Sequence, residues 1–467
     1  MRIYKIPFFC LLWVSLILIH SPGYAEARRE ALAGIRLLDT FNEHLTNAKK
    51  YDAVFLSAQS SEESFVEGTR YAQSLLRPKI TLSASAFQTD RTEIGSNFFG
   101  QRSEIGRSFN SSIATLQARQ PIYRPRDYLG IAQATSQQNA ANILTKAALQ
   151  DLKQRLLLSW LDIISSRELV SLYEKARDSA AVIYEEATKR YKSGDIARQE
   201  MELAFGRLLQ ARALVVEAEG RFEISRESLV SIVGPEAKLL DGGSIFQVDH
   251  LKNPFDNLKA AEKEALASNP DILAAREKAE ASRIEKEKAK SDYKPVIDAY
   301  VSTSRGQNDS VSFIKDETRT GIQLNVPILT FGTLGSSLAQ ADANYRTQVN
   351  RTREVELKVR TDVVRDFNNI NTIRERIIAA DAEAKATQTM LKSQLYGLKA
   401  GLHTRAEVGR TLQDLVNIER QSIFLRKDFV ISWIGIHASV SSLTDEVVND
   451  FISNLSNASW PLSRNFP

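Results

Sequence analysis

The two halves of this chain are copies of one pattern, set about 207 residues apart. The stripe Met201, Leu208, Val215, Phe222 and Leu229 returns as Val408, Leu415, Ser422, Phe429 and Ile436. Likewise Leu152, Leu156, Ile163 and Val170 return as Val359, Val363, Ile370 and Ile377. Apolar residues at three-, four- and seven-residue steps share one face of a helix. A long amphipathic unit that recurs with its register intact buries its apolar face by stacking on copies of itself. Such a chain builds a symmetric tube or bundle, and the pattern argues against an enzyme organised around a pocket.

Arg2 and Lys5 precede a short apolar run over residues 6–19. Gly23, Tyr24 and Ala25 then form a small-x-small cleavage site, so residues 1–25 read as a secretory signal. The run is shorter than the ~20 residues a membrane-spanning helix needs, and no other run in the chain is long enough. An exported chain without such a helix is soluble, surface-attached or a β-barrel. The only cysteine, Cys10, lies in the signal, and Phe8 and Phe9 before it do not fit a lipoprotein signal. The mature chain therefore has no disulfide and no thiol nucleophile. Of 61 basic residues two leave with the signal, and the other 59 stand against 57 acidic ones. That balance argues against nucleic acid as a partner.

The first repeat covers residues 26–234. Residues 30–76 read as helix, stopped by Pro78. Residues 79–90 alternate, with Ile80, Leu82, Ala84 and Ala86 on one side and Thr81, Ser83 and Ser85 on the other, which predicts a strand. Residues 91–110 are polar and glycine-bearing and read as a loop holding Phe98, Phe99 and Phe109. A second strand over 111–120 is ended by Pro121. Residues 126–233 form a helical hairpin whose outgoing helix is roughly 100 Å long at 1.5 Å per residue. It turns at Gly194, and the return helix keeps strict three- and four-residue steps, which predicts a left-handed supercoil. Gly234 and Pro235 break it, and residues 235–257 form a connection. The second repeat, 258–443, follows the same order: helix over 258–292, strands at 296–305 and 317–326, and a hairpin over 335–443 turning at Gly401. Pro295 and Pro327 correspond to Pro78 and Pro121. The polar tail, 444–467, reads as loosely ordered.

Each strand has about the length of a tilted transmembrane strand, with one apolar and one polar face. One chain supplies four strands, whereas membrane barrels start at about eight. An open edge is not tolerated in lipid, so several chains must share one barrel: two give eight strands and three give twelve. A small soluble hairpin capping a coiled-coil bundle is the other reading of the same alternation.

With these elements in order, the chain resembles the TolC-type outer-membrane channels over residues 32–443. The resemblance rests on motifs that occur twice. Ala48-x-x-Tyr-Asp52 and Ala267-x-x-Pro-Asp271 are read as opening the first helix of each half. Gln120-Pro-Ile-Tyr123 and Val326-Pro-Ile-Leu329 join strand to helix, followed by Ala132-Gln-Ala134 and Ala339-Gln-Ala341. The tips read Tyr191-x-x-Gly194-x-x-x-Arg198-x-Glu200 and Leu398-x-x-Gly401-x-x-x-Arg405-x-Glu407. The resemblance implies an α+β membrane protein and a homotrimer sharing a twelve-stranded β-barrel. The barrel is continued by a long periplasmic α-helical coiled-coil barrel, with an equatorial belt from residues 234–257 and the C-terminal region. It further implies a passive exit duct in the outer-membrane lipid, serving an inner-membrane transporter through a periplasmic adaptor (membrane fusion) protein.

By the same resemblance the duct closes near its periplasmic end, where return helices carry acidic residues into the lumen. The gate candidates are Glu407, Arg410, Glu200 and Arg405, and a threefold ring of Glu407 would attract cations. The family often has an acidic residue where this chain has Arg410 and a tyrosine where it has Leu398. A Glu407–Arg410 pair at i,i+3 spacing is the expected substitute. The tip candidates for adaptor docking are Gly194, Arg198, Gly401 and His403. The plainer readings are solvated charges on helix ends and glycine helix caps.

No nucleotide-binding glycine loop, nucleophile elbow or metal-ligand spacing occurs, so no catalytic residue, metal or cofactor is expected. The expected function is an exit duct for type I protein secretion, fed by an ABC exporter. The alternatives are a duct for multidrug efflux, fed by a proton-driven pump, and a soluble periplasmic coiled-coil scaffold. The absence of a lipidation cysteine inclines the reading toward secretion.

Overall fold

The computed structural model describes residues 22–96, 98, 100, 102–238, 251, 253–308, 313–400 and 402–456. In chain order these form α1 (Pro22–Tyr51), α2 (Ala53–Ser74), β1 (Lys79–Ser96), β2 (Arg102–Tyr123), α3 (Pro125–Lys192) and α4 (Arg198–Val233). The second half forms α5 (Leu258–Ser268), α6 (Pro270–Ser291), β3 (Val296–Asn308), β4 (Phe313–Asn325), α7 (Thr333–Lys399), α8 (Arg405–Ser439) and α9 (Asp445–Ser456). The signal segment up to residue 21, most of the 235–257 connection and Gly401 lie outside the described residues. The chain divides into two compact units, Ser60–Leu144 with Leu273–Val355, and Met1–Gln59 with Thr145–Ile272 and Glu356–Pro467. Each unit draws on both repeats.

The first unit holds one antiparallel sheet in the order β1-β2-β3-β4. Lys79 faces Arg119, Leu82 faces Leu116, Leu116 faces Thr303, and Ala299 faces Ile322. The expected alternation holds: Ile80, Leu82 and Ile322 stand out from the sheet with about 70% of their surface exposed. Both outer edges, on β1 and β4, are unpaired among the described residues. Arg124, at the entry to α3, grips Asp298 of β3 with two hydrogen bonds of 2.8 and 2.7 Å.

Two expectations need correction here. Residues 91–96 and 102–110 are strand rather than loop; β1 and β2 stay paired out to Ser96 and Arg102. The ladder is made by backbone groups and continues after the apolar alternation ends. Pro121 does not end its strand either. A register shift between Pro121 and Tyr123 absorbs the missing N–H, and β2 runs on to Tyr123.

In the second unit the repeated stripes form the core. Leu152, Leu156, Ile163, Val363 and Ile370 are buried, as are Leu208, Val215, Leu229, Val408, Leu415, Phe429 and Ile436. Each such side chain contributes about 1.5–3 kcal/mol on leaving water. Trp160 fills the space between α1 and α3, with Phe41 edge-on at 5.3 Å and its indole N–H donating to His44 Nδ1 at 3.2 Å. The expected helix over 30–76 is broken at Asp52. Its Oδ1 accepts from Phe55 N at 2.8 Å, and Arg155 grips the carboxylate at 2.7 and 2.9 Å. Asn269 breaks the 258–292 helix similarly, accepting from Asp271 and Ile272 N–H while its amide donates to Ser439 O at 2.9 Å. Asp and Asn cap a new helix better than they continue an old one.

The tail beginning at 444 is likewise corrected: α9 is a helix. Its apolar positions Val448, Phe451 and Ile452 are buried, Phe451 stacks on Trp433 at 5.5 Å, and Asp445 pairs with Lys153 at 2.6 Å. The four-residue step from 448 to 452, with 451 beside it, is a helical stripe that the polar average of the tail conceals.

Candidate channel gate at the helix tips

The two hairpin turns lie in the helical unit. In the first, Gly194 adopts φ 85°, Gly194 N donates to Tyr191 O at 3.1 Å, and Asp195 N donates to Arg190 O at 2.9 Å. This pattern closes a helix through a left-handed residue, and glycine takes that conformation without strain. Ser193 Oγ donates to Asp195 Oδ2 at 2.9 Å. The N-cap of α4 is Ala197, which supplies no side-chain cap. Arg198 pairs with Glu202 at 3.4 Å, one turn on, and Glu200 is exposed in the first turn.

The second turn is tied by side chains. Thr404 caps α8: its side chain accepts from Glu407 N at 3.3 Å, and Glu407 Oε2 accepts from Thr404 N at 3.1 Å. His403 Nδ1 lies 3.1 Å from the same Glu407 oxygen. The His403 ring rests on the last turn of α7, where a Cβ on Gly397 would meet it at 2.5 Å. The Thr404 amide, and then His403, hold the Glu407 carboxyl below its ordinary range. Arg405 reaches across to α3, with Nη1 2.9 Å from Glu186 Oε2.

These contacts correct one expectation. Glu407 does not pair with Arg410; it turns back to cap its own helix, and Arg410 is exposed without an ion pair among the described residues. A carboxylate at N3 gains both the free N–H of the N-cap residue and the positive end of the helix, which an exposed i,i+3 cation does not match. The structure thus joins Glu407 to His403, and Arg405 to Glu186. Glu200 and Arg198 stay at the other turn.

Three features of the region were not anticipated from sequence. Glu186 has no mark of its own among the charges of α3. Glu419 is buried on α8, and burial pushes its carboxyl up to about 7 against the pull of Lys175. An ionisable residue midway between Leu415 and Ser422 of the apolar stripe was its legible signal. A cavity of about 330 Å3 separates α8 from α3 and α7, lined by Val182, Leu391, Leu395 and Leu412 among others. Farther along, α8 is held firmly: Arg426 grips Asp381 at 2.7 Å through both carboxylate oxygens, and Lys427 reaches Asp162 at 2.6 Å. The first turns of α8 border this cavity on one side, while Val408 and Leu415 pack with Ala384 and Leu391 of α7. Among the described residues no cluster of His, Cys, Asp and Glu is arranged to hold a metal ion, and no helix is long and apolar enough to cross a membrane.

The arrangement of two long hairpins and one four-stranded sheet has known counterparts. A family model described as outer membrane efflux protein matches residues 262–440. The alkaline protease secretion protein AprF of Pseudomonas aeruginosa is 20% identical over 446 residues, covering 93% of this chain and 90% of that one. The outer membrane protein TolC of Escherichia coli is 23% identical over 432 residues, covering 88% and 83%. The crystal structure of the Campylobacter jejuni CmeC outer membrane channel superposes with a TM-score of 0.73 at 15% identity, covering 89% of each chain. The chain is similar over most of its length to the TolC-type outer-membrane channels. It is an efflux or secretion channel of the outer membrane with a large periplasmic portion, in a family of ducts rather than enzymes. The turns between the long helices are accordingly the candidate periplasmic gate.

Proposed function

We propose that this channel is the exit duct of a type I protein secretion system. It works as a homotrimer whose three sheets close one twelve-stranded barrel above a helical tunnel. The observation that carries the assembly is the sheet itself: four strands, one outward apolar face and two unpaired edges. In lipid those edges must be met by other strands, and identical neighbours are the economical source. Residues 1–25 direct export and leave. The relative named for alkaline protease secretion supports protein cargo. The family model described as an efflux protein keeps drug efflux as the second reading.

In this reading the duct conducts passively. An inner-membrane ABC exporter, or a proton-driven pump in the second reading, delivers cargo through a periplasmic adaptor. The candidates for adaptor docking are Gly194, Arg198 and His403, with Gly401, which lies outside the described residues. Glu407, Arg405 and, at the first turn, Glu200 set the charge of the closed gate, with Arg410 free to face cargo or a neighbouring chain. Crosslinking in intact cells, followed by identification of the co-purified inner-membrane protein, tests the assignment. Recovery of an ABC exporter with its adaptor is the expected result. A proton-driven drug pump alone would turn the reading to efflux, and a soluble periplasmic monomer would end it.

A further inference from the structure

The start of α8 has a second void on its other side. A cavity of about 240 Å3 lies between α3, α4 and α8. Its walls are mostly apolar, with Tyr173 and Ala176 of α3, Ala211 of α4 and Val416 of α8, and the amides of Gln210, Gln413 and Asn417 interrupt them. The two alanines leave room that larger residues would fill. Two arginines border it: Arg207 of α4, which is half-buried, and Arg420 of α8, which is exposed. Neither forms an ion pair among the described residues. Arg207 lies against Gly409 of α8, where a Cβ would collide with its guanidinium. Gly409 and Arg420 are three turns apart on one helix, about 16 Å at 1.5 Å per residue.

We propose that this cavity binds a small amphipathic monoanion, a medium-length hydrocarbon chain ending in a carboxylate. Ligand sites are mostly apolar with a few polar groups fixing orientation, and pockets for drug-sized molecules hold roughly 300–1,000 Å3. This one is smaller, which suits a single chain. The carboxylate fits Arg207, whose planar fork takes two oxygens at once and whose partly buried setting strengthens the attraction. Arg420 at the rim draws the anion in. A cationic amphiphile of the same length is repelled by both. Once bound, the chain fills the gap between α8 and the α3–α4 hairpin and adds a contact that holds the first turns of α8 to that hairpin.

The test is isothermal titration of decanoate into the full-length channel in lipid nanodiscs, with decyltrimethylammonium as the charge control. Saturable decanoate binding is expected, weakened tenfold or more by Arg207→Gln and lost in Ala211→Phe, which fills the cavity with Arg207 intact. The cation is expected to bind no more tightly to the parent than to Ala211→Phe. No saturable binding overturns the proposal, as does equal decanoate uptake by parent and both variants, which is partition into lipid. The effect on conductance rests on the duct reading: decanoate should lower the planar-bilayer conductance of the parent and spare Ala211→Phe. A parent that conducts nothing would count against the duct and leave the titration to decide the site.

Discussion

The two hairpin turns descend from one sequence pattern and are closed by different means. The first is closed mainly by backbone geometry, with Gly194 in a left-handed conformation, local contacts of Asp195 with Ser193 and Arg190, and an N-cap, Ala197, that offers no side chain. The second is closed by polar side chains: Thr404 and Glu407 cap α8, His403 joins them, and Arg405 ties the turn to Glu186 of α3. Backbone closure is indifferent to charge and to neighbouring helices. Side-chain closure responds to both. The duplication thus kept the hairpin, and the capping box and the tie to a neighbouring helix appear in the second copy.

The largest effect that separates the regions is acid response along α8. His437 is buried near the far end, and burial holds its pKa at about 4. The unfolded histidine, at about 6.5, takes up its proton first. Its contribution is therefore complete above pH 6.5 and is lost as the pH falls to about 4, amounting to roughly 3 kcal/mol. His44 is lowered by burial too and acts in the same direction. Glu419, nearer the turn, has the opposite sign. Its folded pKa of about 7 lies above the ordinary 4.5, so its contribution grows as the pH falls from 7 to 4.5. Glu419 should therefore offset the loss from His437 between pH 6.5 and 4.5, and Glu419→Gln should be about 2 kcal/mol more acid-sensitive than the parent over that range. Urea unfolding followed by circular dichroism reads this directly. A variant as acid-tolerant as the parent would undo the assignment of opposite signs.

Smaller effects test the turns themselves. Gly194→Ala forces a side chain into a left-handed conformation and should cost about 1–2 kcal/mol, seen as faster amide exchange confined to residues around 190–197. Thr404→Ala removes the cap of α8 and should cost about 1 kcal/mol, with exchange rising at 404–407 and unchanged at the first turn. If Thr404→Ala loosened both turns equally, the contrast between them would fail. Smallest is the Arg405–Glu186 pair, where Glu186 is largely exposed. A double-mutant cycle with alanine should give a coupling of about 0.5 kcal/mol, and zero coupling would make the link incidental.

The sequence conveyed whatever depends on periodicity. Both apolar stripes, the long hairpins and the four strands follow from steps of two, three, four and seven, and the structure buries Leu156, Val363, Phe429 and Ile436 as those steps require. It was less informative where a single polar atom decides. Asp52 and Asn269 look like helix residues by pattern and act as caps because their side chains reach backbone N–H groups. Glu407 was identifiable as a turn residue, but its partner depends on whether a carboxylate prefers an amide and a histidine or an arginine three residues on. The Arg405–Glu186 contact joins positions more than two hundred residues apart, which no local spacing encodes.

The unpaired edges of β1 and β4 carry a consequence for inheritance. In the proposed trimer each chain meets a neighbour at both edges, so a chain with one damaged edge opens one of the three seams, and a barrel open at one seam is not closed. In a cell making intact and damaged copies together, the share of fully intact assemblies falls as the cube of the intact fraction. Edge-strand lesions such as a proline in β4 should therefore behave as dominant when they leave the rest of the chain able to assemble. Lesions that unfold the chain outright should be recessive, because they never join a trimer.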